Sequence, residues 1–223
     1  MSKCIWVIAN WKSNKTISEA VEWIAEVGPR VPKRKDVKVV VCPTFSALSE
    51  VKKAIQAGNF PIMVGSQDIS SFGIGAYTGE EPAELLKPLV RLSIIGHSER
   101  RQNFSETDEM VDQKVKKTLE NAITPLVCVQ SEKTPVPEGC GLVAYEPIFA
   151  IGTGNADTPE NASAIAQSLK SKYGESLEVL YGGSVNSDNI NSFIDQSNIS
   201  GVLVGKWSLD VDKFIQILEK VSA

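Results

Sequence analysis

Eight short apolar runs rich in β-branched residues recur along the chain, and seven of them are followed by a stretch whose apolar residues keep helical spacing. The runs are Cys4 to Ala9, Val37 to Val41, Ile62 to Ser66, Leu92 to Ile95, Pro125 to Val129, Leu142 to Tyr145, Val179 to Tyr181 and Val202 to Val204. Helical patterns occupy Ile17 to Glu26, Ala47 to Ala57, Pro82 to Leu89, Thr107 to Asn121, Pro159 to Lys172, Asp188 to Asp195 and Val211 to Val221. Strand, helix and strand in series read as βαβ units, which build a parallel sheet. Three helix starts carry local signals. Ser46 precedes Ala47 with Glu50 in the first turn, Thr107 precedes Asp108 and Glu109, and Thr158 precedes Pro159 and Glu160. The fifth unit breaks the alternation: residues 130–141 hold Pro135, Pro137, Gly139 and Gly141, and no period of 3.6 fits them. The expectation is an α/β fold, a (β/α)8 barrel spanning residues 1–223 as one domain. Its helix after the fifth strand is replaced by a loop, with Val136 and Cys140 folding back over the gap.

A chain of 223 residues with 42% hydrophobic content can bury one such core. Its net charge of -4 comes without a basic run, which leaves no footprint for nucleic acid or an anionic membrane surface, so a small soluble ligand is the expected partner. The first apolar run stops at Ala9, too short for a signal peptide's apolar region or a membrane span, and a cytoplasmic location is expected. Four cysteines without CxxC spacing and a single histidine, His97, indicate neither a metal site nor a disulfide framework.

In a parallel barrel, the residues just past each strand's carboxyl end converge on one face. Here they are Asn10 and Lys12 after the first strand, His97, Ser98 and Glu99 after the fourth, and Glu146 after the sixth. Each has a bland alternative as a solvated charge or turn residue, and His97 is the strongest single signal because the chain places its one imidazole at a strand end. Pro147 follows Glu146 at once, and an apolar tip then leads to Gly152-Thr153-Gly154, the composition of a lid. Gly152, Gly182-Gly183-Ser184 and Gly205 place glycines where strands 7 and 8 of barrels hold a phosphate group.

Ala9-Asn10-Trp11-Lys12, Gly96-His97-Ser98-Glu99-Arg100-Arg101, Ala144-Tyr145-Glu146-Pro147, Ala150-Ile151-Gly152-Thr153-Gly154 and Tyr181-Gly182-Gly183-Ser184-Val185 together resemble the signatures of the triosephosphate isomerase family, in order and over nearly the whole chain. The resemblance implies a cofactor-free and metal-free enzyme that interconverts dihydroxyacetone phosphate and glyceraldehyde 3-phosphate. Glu146 matches the family's base. His97 matches its electrophile, and this family is itself the standard case of a histidine at a helix N-terminus that stays neutral while donating a hydrogen bond. Lys12 would supply positive charge, Asn10 would orient oxygens and hold Lys12, and Glu99 would support them. Backbone groups of Gly152, Ser184, Gly205 and Lys206 would bind the phosphate. The resemblance also implies a homodimer in which the loop Gln67 to Glu80 enters the neighbouring subunit.

Three departures stand out. Phe149 replaces the tryptophan usual at the lid tip, Gly205-Lys206 replaces Gly-Gly, and Cys128-Val129-Gln130-Ser131 replaces Cys-x-Gly-Glu. Two other functions compete: a non-catalytic phosphosugar-binding barrel, and a different phosphate-binding barrel enzyme such as a lyase. The joint presence of Asn10, Lys12, His97 and Glu146 counts against both.

Overall fold

The computed structural model describes residues 3–150 and 156–222. Eight parallel strands pair in chain order and close into a barrel: β1 (Ile5–Asn10), β2 (Val37–Cys42), β3 (Ile62–Ser66), β4 (Leu92–Ile95), β5 (Thr124–Val129), β6 (Leu142–Tyr145), β7 (Glu178–Tyr181) and β8 (Gly201–Val204). Closure comes from β1 against β8, in the register Trp6↔Gly201 to Ala9↔Val204. Strand side chains alternate between two cores. Trp6 and Ile8 of β1, Leu92 and Ile94 of β4, and Leu142 and Ala144 of β6 fill the barrel interior, whereas Val7, Ala9 and Val143 face the outer helices. Asn10 and Glu146 continue the inward parity of their strands, so the alternation that packs the interior also delivers both polar groups to its carboxyl end.

The helices are α1 (Ile17–Val27), α2 (Leu48–Ala57), α3 (Ala83–Leu86), α4 (Ser98–Asn103), α5 (Asp108–Glu120), α6 (Pro159–Tyr173), α7 (Ile190–Ile194) and α8 (Val211–Ser222). Thr107 and Thr158 cap α5 and α6 as expected, their hydroxyls accepting from Met110 N and Asn161 N. Ser46 does not cap: a 3-10 turn over Phe45–Ala47 comes first, and the Ser46 hydroxyl meets that of Thr44. The helix expected over Pro82 to Leu89 shrinks to four residues, because Pro88 has no N–H to return to Glu84. The one expected over Asp188 to Asp195 loses its start to the Asn186 side chain, which accepts from Asp188 N and Asn189 N. Helix α4 was not anticipated, since Ser-Glu-Arg-Arg-Gln-Asn offers no apolar period.

No helix forms between β5 and β6. The loop folds inward, burying Val136 in the outer core with Cys140 partly buried beside it, and the Tyr173 hydroxyl at the end of α6 accepts from Val136 N at 3.2 Å. An apolar side chain and a borrowed hydroxyl thus cover what a helix's stripe would have covered.

Candidate active site

Asn10, the last residue of β1, is buried and accepts from the backbone N–H of Lys12 at 3.1 Å. Lys12 has φ +52, a left-handed conformation that costs a non-glycine residue about 1–3 kcal/mol and persists only where the surroundings over-determine it. Here the Asn10 side chain holds its N–H, and Gln67 Nε2 donates to its carbonyl at 2.8 Å and to that of Cys42 at 3.0 Å. The result turns the Lys12 side chain back over the barrel mouth, where Nζ pairs with Glu99 Oε1 at 2.5 Å.

His97 stands at the N-cap of α4 and is buried. The first turn of that helix points the Glu99 N–H at His97 Nδ1, 3.2 Å away. With Nδ1 engaged as acceptor, the neutral ring carries its proton on Nε2, facing the cavity. Glu99 sits alongside, with Oε2 3.7 Å from Nδ1.

Glu146 is 1% exposed. Its Oε2 accepts from Ser98 N at 3.0 Å, while Oε1 lies 3.0 Å from His97 Nε2 without the alignment of a hydrogen bond and has no other partner among the described residues. A buried carboxylate oxygen without an aligned donor keeps acceptor capacity for a further partner. Gly182 leaves room for it: a Cβ there would stand 2.9 Å from Glu146 Cγ. Burial and the nearby Glu146 carboxylate push the thiol of Cys128 on β5 well above its usual range, so it faces Glu146 protonated.

These side chains open on a cavity of about 540 Å3 at the carboxyl ends of β1, β4, β6, β7 and β8. Gly183, Ser184, Gly205 and Lys206 line it, and none of their backbone N–H groups has an acceptor among the described residues. Unpaired backbone donors on lining residues are the kind of group that receives an anion. Ser184 also donates its hydroxyl to the Ala150 carbonyl at 2.7 Å, tying the loop after β7 to the segment after Glu146. Of the residues singled out from sequence, Asn10, Lys12, His97, Glu146, Ser184, Gly205 and Lys206 all line this cavity, and Glu99 reaches it through Lys12 and His97. Gly152, with the rest of the expected lid from Ile151 to Gly154, lies outside the described residues. Sequence reasoning missed Gln67, the Ser98 N–H, and an outer wall built from Trp207, Leu209 and Lys213.

Barrel and site together define a (β/α)8-barrel isomerase. The family model described as triosephosphate isomerase matches residues 5–221. The triosephosphate isomerase of Alkaliphilus metalliredigens is 38% identical, with 95% of this chain and 97% of that protein covered. That of Thermus thermophilus is 36% identical over 96% and 97% of the two chains, and that of Thermoanaerobacter sp. (strain X514) 39% over 95% and 97%. The chain belongs to the triosephosphate isomerase family. These alignments run to 244 or more positions against 223 residues, so they include positions that this chain lacks.

Proposed function

We infer that the chain interconverts dihydroxyacetone phosphate and glyceraldehyde 3-phosphate, and we propose the following roles for its residues. The phosphate dianion seats on the free N–H groups of Ser184, Gly205 and Lys206, with Gly152 contributing from the lid. This leaves the carbons beneath Glu146. The Glu146 carboxylate turns from Ser98 N and takes a proton from the hydroxymethyl carbon, giving an enediolate. His97 Nε2–H donates to the oxygens on which charge develops, and Lys12 supplies a fixed positive charge to the same region. Glu146 then returns the proton to the adjacent carbon, while the hydroxyl protons redistribute through His97. Asn10 and Glu99 act through Lys12 and His97 and are positioning residues.

The observation that carries this reading is the buried Glu146 carboxylate beside a histidine whose Nδ1 is held as acceptor, leaving Nε2–H for the ligand. A coupled isomerase assay on glyceraldehyde 3-phosphate tests it: turnover is expected, and its absence in folded protein would sink the assignment.

We also propose a homodimer, acting in the cytoplasm where triose phosphates are met. The loop from Gln67 to Glu80 carries Phe72 stacked on Tyr77 at 4.3 Å and leaves Ile74 69% exposed, an apolar projection suited to a groove on a second copy. Among the described residues, no helix is long and apolar enough to cross a membrane.

A further inference from the structure

The cavity is larger and more cationic than a three-carbon monophosphate needs. At about 540 Å3 it falls in the range that takes drug-sized ligands. Its lining includes the half-buried Trp207 and Leu209 and the exposed Lys213, which form its outer end. Lys12, Lys206 and Lys213 all line it, against one lining carboxylate, Glu146. Lys12 is matched by Glu99. The other two ammonium groups have no hydrogen-bond or ion-pair partner among the described residues. Lys213 Nζ lies over the Trp207 ring, 5.5 Å from its centroid, which keeps the charge at the cavity mouth. Of the two acids flanking the start of α8, Asp210 accepts from Lys213 N at 3.0 Å through Oδ1, and Asp212, beside Lys213 on the helix, lies 3.9 Å from Arg30. Asn10, His97 and Glu146 are buried whereas Lys206 and Lys213 are exposed, so the catalytic groups take the inner end of the cavity and the surplus positive charge its outer end.

We propose that this outer end is a second anion subsite, formed by the Lys206 and Lys213 ammonium groups beside Trp207, which takes the second phosphoryl group of a diphosphate whose first sits on the N–H groups of Ser184, Gly205 and Lys206. The proposal rests on the phosphate-binding reading given above. A diphosphate so placed blocks the first subsite, which makes it a competitive inhibitor of the isomerase. In the substrate placement proposed above, the carbons extend away from Lys213 toward Glu146, so the second phosphoryl group is absent from the isomerase's own substrate.

The probes are inorganic phosphate and inorganic pyrophosphate, compared without divalent cations and at constant ionic strength, by calorimetric titration and as inhibitors of the isomerase. Pyrophosphate is expected to bind the wild-type protein about fivefold to tenfold more tightly than phosphate, the worth of one or two partly exposed charge pairs. Lys213→Met is expected to remove most of that margin while changing phosphate affinity little, and Lys213→Arg is expected to keep it. Equal affinities in the wild type, or a margin that survives Lys213→Met, would overturn the second subsite while leaving the first intact. Failure of both anions to bind would overturn the first subsite itself, and the second with it.

Discussion

Glu146 reaches both Ser98 N and the His97 ring from the end of β6, and one methylene fewer withdraws it from the cavity by roughly 1 Å, a misplacement that can cost about a hundredfold in rate. Glu146→Asp is therefore expected to fold normally and to lose turnover on that scale, with little change in affinity for a phosphate-bearing inhibitor. Near-wild-type kcat in steady-state assays would remove Glu146 from the role of base. A different outcome is expected at Lys12, whose charge in the proposed mechanism serves both the phosphate and the developing enediolate. Lys12→Met is expected to raise KM and lower kcat together, and unchanged inhibitor affinity would count against it. The side chains at strand ends were legible in the sequence because barrel geometry sends any such residue to one face. Of their partners, Asn10 and Glu99 beside Lys12 followed from the family resemblance, and the rest were not legible. Ser98 and Glu99 contribute backbone N–H groups, which every residue carries, and Gln67 works through two carbonyls whose direction depends on the left-handed turn at Lys12.

At the scale of elements, the caps of α5 and α6 could be read directly, since Thr107 and Thr158 act on N–H groups three residues on. The extents of α3 and α7 could not, because Pro88 and the Asn186 side chain end or delay a pattern whose apolar spacing continues. The β5–β6 loop was legible as non-helical from its prolines, and burial of Val136 bears out the expected fold-back. Val136→Ala removes two methylene equivalents from that cover and is expected to cost about 1–2 kcal/mol, seen as a lower denaturation midpoint with kinetics unchanged. Hydrogen exchange is expected to be less protected in β5 and β6 than in β1 and β2, and equal protection would show that the loop covers as well as a helix. A second junction links β6, β7 and the start of α6: Tyr145 donates to Asp157 Oδ2 at 3.1 Å, and Tyr181 accepts from Asp157 N at 2.8 Å. Burial, with the Asp157 charge adding to it, pushes the Tyr181 phenol up to about 12, against an unfolded value near 10. The folded state thus favours the protonated phenol, and this contribution is complete below pH ~10 and is lost as pH rises through about 12. Denaturation followed between these limits is expected to show a shallower alkaline decline in Tyr181→Phe than in the wild type; identical slopes would mean that this phenol does not titrate on unfolding.

For the whole molecule, a dimer makes stability depend on concentration. The thermal midpoint is expected to rise with protein concentration across the micromolar range, and Ile74→Asp is expected to abolish the rise and give a monomer by light scattering. A wild-type midpoint independent of concentration, with a monomeric mass, would dismiss the dimer. The helix-free β5–β6 crossing has another consequence, for the order in which the chain can be written. The two ends of the described chain meet at the amino-terminal side of the barrel: Arg34 donates to the Ser222 carbonyl at 2.8 Å and pairs with Asp36, whose own carbonyl accepts from Ile5 N. The crossing supplies a surface stretch, Ser131 to Thr134, half-buried apart from the exposed Lys133, that contributes no side chain to the cavity. Cutting there and joining the old ends with a short flexible linker would give a circular permutant that begins with Val136 and β6 and ends with β5. Such a chain retains every strand pairing and every group at the cavity, so isomerase turnover in the purified permutant is the measurement that would show the barrel needs no particular beginning.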